Sequence, residues 1–265
     1  MSERPADPPT PQPLVGIGRP FVGATVLASF ALILAVLGPA GTRAGLWGAG
    51  IGTGMFKGAL TVAAIATVAA FADMLRHGRI RRGLAVIALA VAASVLPARV
   101  WLASRLAPPI ADVTTDLDNP PRYVAVATLR VPPANPAGYG GDAVARHQRA
   151  AYPNLRPLIV PVPPARALAL AGDTARAEGW TVLAQDIGFG DLGRLEATDT
   201  TLLFGRIDDI VVRIVPHAAG SRVDVRSSAR DDGADSGRNA DRIRRFLAFL
   251  AERAATEPAG TPAPS

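Results

Sequence analysis

Three long apolar stretches fill the first hundred residues, and none shows the alternation of a strand or the single stripe of a surface helix. Phe21–Leu37 reads FVGATVLASFALILAVL without a charge, near the lower length limit for a helix that crosses a bilayer. Gly38-Pro39-Ala40-Gly41 follows with turn chemistry that predicts its end. A second span is predicted over about 55–74, centred on the charge-free run Gly58–Ala72. A third is predicted over about 83–102, with Pro97 and Arg99 near its end, where a kink and a snorkelling side chain are tolerated. Lys57 would cost about 2.5–3.5 kcal/mol at the bilayer centre, and much less with its ammonium drawn out to the interface.

Beyond Pro108-Pro109 the pattern becomes that of a water-soluble domain. A short strand is predicted over Tyr123–Leu129, then a Pro/Gly/Asn loop over Pro132–Gly141 and a short helix over Ala143–Ala151 that stops before Pro153. Leu158–Val162 is a β-branched run. Pro164 suits the first turn of a helix that puts Leu168, Ala171 and Ala175 on one face and stops at Gly179. Strands follow at Trp180–Gln185, Leu195–Phe204, Asp209–Val215 and Arg222–Arg230, and a helix over Arg238–Arg253 buries Ile243, Phe246, Leu247 and Leu250. In the last strand Val223 and Val225 point one way, and Arg222, Asp224, Arg226, Ser228 and Arg230 the other. The predicted fold is an N-terminal bundle of about three transmembrane α-helices followed by an α+β domain, its antiparallel sheet packed by helices. The corresponding boundaries are a disordered cytoplasmic tail at 1–20, a transmembrane region at 21–102, a soluble domain at 108–253 and a disordered tail at 254–265.

Charge gives this plan a direction. The net charge of +6 is carried by arginine, since Lys57 is the one lysine. Arg76, Arg79, Arg81 and Arg82 crowd the link between the second and third spans, so the positive-inside rule puts that link and the N-terminus in the cytoplasm. Everything after Leu102 then faces the periplasm or exterior of a multi-pass cytoplasmic-membrane protein, with Trp47 and Trp101 at the outer interface. A cleaved signal peptide is the rival reading of Phe21–Leu37. The mixed charges before it and the lack of a small-x-small site after it favour an uncleaved anchor. Few aromatics and no recognition motif argue against nucleic acid as a partner, and the absence of cysteine removes disulfides and thiolate chemistry. The expected partners are the lipid bilayer and other membrane or envelope proteins, met through the G-x-x-x-G steps of Gly50, Gly54 and Gly58.

Several segments stand in a distinctive order: Pro108–Asp116 with Asn119-Pro120-Pro121, Tyr139-Gly140-Gly141, Ala151-Tyr152-Pro153, Gly179-Trp180, Glu196-Ala197-Thr198, Asp208-Asp209 and Arg222–Ser227. Asp235, Gly237 and Asn239-Ala240 before Arg242-Ile243 complete the series. The stretch from about 108 to 250 resembles the bacterial family termed domain of unknown function 1499, often found behind hydrophobic N-terminal segments. That resemblance carries over no activity and no catalytic residue. Ala229, Asp232, Ala234 and Ser236 stand where members tend to have serine, glycine, serine and leucine.

The strongest polar constellation is Arg222, Asp224, Arg226 and Arg230, followed by Asp235 and Asn239. Such alternating charges either pair across a solvated sheet or hold an anion by bidentate guanidinium contacts, with the helix from Asn239 adding N–H groups. Asp208 and Asp209, with Glu196 and Asp186, are weaker candidates for a hard cation, and an Asp-Asp pair at a turn more often makes local hydrogen bonds. His77, His147 and His217 lack ligand spacing, and Ser227 and Ser228 lack a nucleophile-elbow context. No metal and no cofactor is therefore expected. The leading expectation is a module that binds a partner, a lipid headgroup or a small anion in the envelope. A metal-assisted hydrolase or transferase, and a structural subunit of a membrane complex, are the alternatives.

Overall fold

The structure, a computed structural model, describes residues 19–130, 135–188, 192–231 and 235–257. The predicted tails up to residue 18 and from 258 onward lie outside these, as do Asp232, Ala234 and Gly190. Two compact units divide the chain. One combines the described part of Met1–Gly38 with Gly54–Ala98, and the other combines Pro39–Thr53 with the described part of Arg99–Ser265.

Three helices begin the chain: α1 (Arg19–Arg43), α2 (Ala49–His77) and α3 (Ile80–Leu106). Each is long and apolar enough to cross a membrane. In the first unit their contacts are made by small side chains: Ala24, Ala28 and Ala31 of α1, Ala63, Ala66 and Ala70 of α2, Ala90 and Ala93 of α3. Large apolar side chains such as Val26, Ile33, Val68 and Phe71 face outward. This inside-out arrangement fits an apolar surrounding, where close backbone approach and dispersion, rather than exclusion of water, hold helices together. Contrary to the predicted stop at Gly38–Gly41, α1 continues through Pro39 to Arg43. Proline removes one hydrogen bond, whereas ending the helix in an apolar medium would leave several backbone groups without partners. Gly41 is required there, because a Cβ would run into the Trp47 ring. Gly50 and Gly54 are exposed on α2, and no atom approaches within 4 Å of the Cβ positions of Gly50, Gly54 or Gly58.

The α+β domain contains β1 (Asp112–Thr114), α4 (Gly141–Ala151), β2 (Leu158–Val160), α5 (Pro164–Ala177), β3 (Thr181–Ile187), β4 (Gly193–Thr200), β5 (Ile207–His217), β6 (Gly220–Ala229) and α6 (Arg238–Ala255). All pairings are antiparallel in the order β1-β6-β5-β4-β3, with β2 beside β1 along the same edge of β6. Gly220 closes the β5–β6 turn at φ +121°, where a Cβ would strike the Val160 carbonyl of β2. The core lies between one sheet face and α5 with α6. Leu168, Ala171 and Ala175 meet Ile210, Val212, Ile214, Val223 and Val225, and Trp180 stacks on Phe246 at 4.8 Å.

Two differences from the sequence pattern matter for the site. The predicted strand at Tyr123–Leu129 is an irregular segment ending in a 3₁₀ turn over Val126–Leu129, because the Val124 and Val126 N–H groups donate to the Glu196 carboxylate instead of a neighbouring strand. Strand β1, by contrast, was not predicted: three residues are too short for any periodicity to register.

An Ala66→Leu substitution, at a fully buried position of the helix bundle, should lower stability by about 1–3 kcal/mol through overpacking. Val68→Leu, on the outward face, should be near neutral. Thermal unfolding of the detergent-solubilised full chain checks the contrast.

Candidate functional site

Strand β6 supplies side chains to both faces of the sheet, and the two faces carry separate polar networks. Val223, Val225 and Ser227, opposite Ile214, Val212 and Ile210, lie on the helix side. Arg222, Asp224, Arg226 and Ser228 alternate with them on the other side, as the strand period requires. The ladder therefore exists, but not as a solvated surface. The chain before α4 lies over it, and Asp224, Arg226 and Ser228 are buried.

On this covered face each guanidinium meets carboxylates. Arg226 grips Asp112 through Nε and Nη2 at 2.9 and 2.7 Å, donates to the Pro121 and Ala137 carbonyls, and has its guanidinium carbon 4.6 and 5.5 Å from the Tyr123 and Tyr139 ring centroids. Arg213 and Arg222 share Asp116 and Asp224. Asp209, fully buried, accepts from Arg130 at 2.8 Å and Arg230 at 2.6 Å. Tyr123 donates to the Asp209 carbonyl oxygen at 2.8 Å and lies 2.9 Å from Ser228 Oγ. Burial, with the nearby Asp112 charge, holds its phenol well above the usual range, so it stays a neutral donor.

Asp235 and Asn239 belong to a different network on the helix side. Arg242, 3% exposed, joins Asp199 and Asp208, each at 2.7 Å, to Asn239 Oδ1 at 2.5 Å and Ser227 Oγ at 3.1 Å. Asn239 donates from its side chain to the Ala111 carbonyl, and its backbone N–H donates to Asp235. Gly237, at φ +81°, caps α6 and turns the chain into this cluster. Burial raises the Asp235 carboxyl to about 6, against the opposing pull of Arg238 and the Asn239 N–H. The six sequence candidates are thus brought together as four and two, on opposite faces. Each set is held by partners outside it: Asp112, Asp116 and Asp209 for the four, and Arg242, Ser227 and the Ala111 carbonyl for Asn239 of the two.

The acidic candidates are likewise separated. Asp208 points to Arg242 on the helix side, Asp209 to Arg130 and Arg230 on the other, and Glu196 to the Val124 and Val126 amides. Among the described residues, no three His, Cys, Asp or Glu side chains are grouped to hold a metal ion.

A cavity of about 460 Å³ opens beside the covered face. Its walls come from Pro109, Ile110 and Ala111 before β1, Pro136 and Gly138 in the loop, and Val144 of α4. Arg130, Ser228 and Asp112 reach it already hydrogen-bonded, and His147 also lines it. Tyr139 differs from these. Its hydroxyl oxygen is buried yet has no partner among the described residues. Burial, reinforced by Asp112, pushes this phenol up to about 12, which keeps it a proton donor. In the sequence Tyr139-Gly140-Gly141 stands out only as part of the family resemblance. Asp112, Asp116, Arg130, Arg213, Asp199 and Arg242 are not among the site residues expected from sequence, although Asp112 and Asp116 stand in the Pro108–Asp116 segment of the resemblance and Arg242 in its closing series.

The family model described as "Protein of unknown function (DUF1499)" matches residues 112–250, from the first residue of β1 into α6. A comparison with the curated proteins finds no match.

Asp209→Ala would remove the carboxylate shared by the buried Arg130 and the partly buried Arg230 and should cost about 3–5 kcal/mol, whereas removing the exposed Asp173–Arg176 pair should cost less than about 1 kcal/mol. Denaturant titration of the full chain measures both. Asp235 has its folded-state pKa raised, so its contribution is fully present below the unfolded value of 3.8 and is lost as pH rises through about 6. Stability relative to Asp235→Asn should therefore fall between pH 4 and pH 7, by at most about 3 kcal/mol. A constant difference across that window would refute the assignment.

Proposed function

The chain belongs to the DUF1499 family of proteins of unknown function, and from that premise we propose that it is a multi-pass cytoplasmic-membrane protein whose α+β domain binds a small amphiphile on the periplasmic or outer side. Orientation rests on the arginines at 76, 79, 81 and 82 and, toward the other side, on Trp47 in the linker between α1 and α2 and Trp101 in the last turns of α3. The observation that carries the binding reading is the cavity of about 460 Å³ with the Tyr139 hydroxyl buried in its wall and without a partner among the described residues. Buried donors are ordinarily matched, and one left free beside an apolar cavity is matched by what the cavity takes up. The apolar walls suit a hydrocarbon body, and the phenol suits an acceptor head such as a carboxylate, ester or phosphate. The arginine ladder is a poorer anion site than its charges suggest, because Asp112, Asp116, Asp209 and Asp224 already occupy it. The cavity starts at Pro109, three residues beyond the end of α3, within about 10 Å of chain from that helix. Ligands partitioned into the bilayer surface thus reach it readily.

Octanoate should raise the thermal stability of the full chain in nanodiscs, and inorganic phosphate alone should not. Tyr139→Phe should weaken octanoate binding about 5-fold by removing one hydrogen bond. Gly138→Phe, which sets a bulky ring at a residue lining the cavity, should lower octanoate binding further. Wild-type response in Gly138→Phe would refute the site.

A further inference from the structure

The turn between β4 and β5 reads Thr201-Leu202-Leu203-Phe204-Gly205, without a charge. Its backbone is closed and fixed: Arg206 is held by Thr201 Oγ at 2.9 Å, Thr201 N–H donates to the Arg206 carbonyl at 2.7 Å, and Gly205 N–H donates to Thr201 at 3.0 Å. At the tip Leu202 is 89% exposed, more than any other large hydrophobic side chain among the described residues. One exposed leucine alone carries little weight, since isolated apolar residues are common on surfaces. What gives this one meaning is its neighbour. Arg43, the last residue of α1, donates from Nη1 to the Thr201 and Leu202 carbonyls at 3.1 and 3.0 Å. Its side chain packs so closely on Gly205 that a Cβ there would lie 3.2 Å from Arg43 Cγ. These residues all belong to one compact unit.

The height of Arg43 follows from the helix it ends. The candidate span Phe21–Arg43 has 23 residues, about 34 Å of helix against roughly 30 Å of hydrocarbon. A guanidinium at its terminus lies among the headgroups, and so does the turn whose carbonyls it holds. A charge-free turn fixed at that depth, with a leucine at its tip, matches an acyl-chain boundary and not water. Leu46, 72% exposed three residues after Arg43, adds apolar surface in the same linker.

We propose that the Thr201–Gly205 turn is a lipid-contact element, with Leu202 inserted at the acyl–headgroup boundary of the leaflet in which α1 ends and Arg43 holding the turn there. The domain then has a bilayer contact of its own in addition to its covalent link to α3. This rests on α1 crossing the membrane, so the experiment includes a position that reads that premise separately.

The chain has no cysteine, which permits single reporters without background. Leu202→Cys, Val26→Cys on the outward face of α1 and Leu183→Cys on β3 are each labelled with an environment-sensitive fluorophore. The full chain is reconstituted in phosphatidylcholine vesicles with or without acyl-chain nitroxide lipid. The expected result is a blue-shifted emission quenched by the nitroxide lipid at positions 26 and 202, and quenching only by aqueous iodide at 183. Iodide quenching at 202 with lipid quenching at 26 overturns the inference while leaving the membrane reading intact. Absence of lipid quenching at 26 overturns both. Energy transfer between labels at 202 on different copies, without lipid quenching, assigns the tip to a second copy and also overturns it. In Arg43→Gln, lipid quenching at 202 should be largely lost and that at 26 retained. Unchanged quenching at 202 would remove Arg43 from the proposal.

Discussion

Burying a guanidinium is the constraint around which the α+β domain is built. An arginine taken out of water without a partner costs several kcal/mol, so the covered face of the sheet depends on Asp112 and Asp209 standing where the buried Arg226 and Arg130 need them, with Asp116 and Asp224 pairing the more exposed Arg213 and Arg222 beside them. Those carboxylates come from the segment before β1's end, from the loop after it and from two central strands. Pairing therefore ties the chain that has just left α3 to the centre of the sheet. Tyr123 and Tyr139 complete the enclosure by setting their ring faces against the Arg226 cation. Hydrophobic burial operates on the opposite face and fixes where the helices sit. Ion pairing fixes where the irregular chain sits.

This division explains what the sequence disclosed. The alternation of Ile210, Val212 and Ile214, and of Val223 and Val225 against Arg222, Asp224 and Arg226, identified strands and faces because one face of each is apolar and the period is two. The helix at 238 was legible for the same reason, with Ile243, Phe246 and Leu250 on one stripe. The segment from Asp112 to Tyr139 was not, because its conformation is set by partners far away in sequence. Val124 and Val126 look like strand residues, but a distant Glu196 takes their amides. The six-residue polar constellation failed in an instructive way. Proximity in sequence joined Asp235 and Asn239 to the ladder, while the sheet stands between them.

The membrane half shows the reverse logic. Its small residues are inside and its bulky residues outside, because the surrounding medium is as apolar as the interior. Composition located the three helices, yet local turn chemistry misjudged an end. Gly38-Pro39 would stop a helix in water, where released carbonyls find other partners. In the apolar medium that a helix of this length and composition suits they would not, and α1 continues to Arg43.

The placing of β1 and β2 along one edge of β6 bears on how the protein is made. Asp112 pairs with Ser228, and Leu158 with Val223, so both early strands wait for one of the last to leave the ribosome. At ordinary synthesis rates that wait is on the order of ten seconds. During it the chain next to the membrane carries Asp112 and Asp116 without their arginines, and folding cannot proceed stepwise from the N-terminus. The meander of β3, β4 and β5 under α5 can pair as it emerges, but the edge that β1 and β2 complete closes only once β6 is in place.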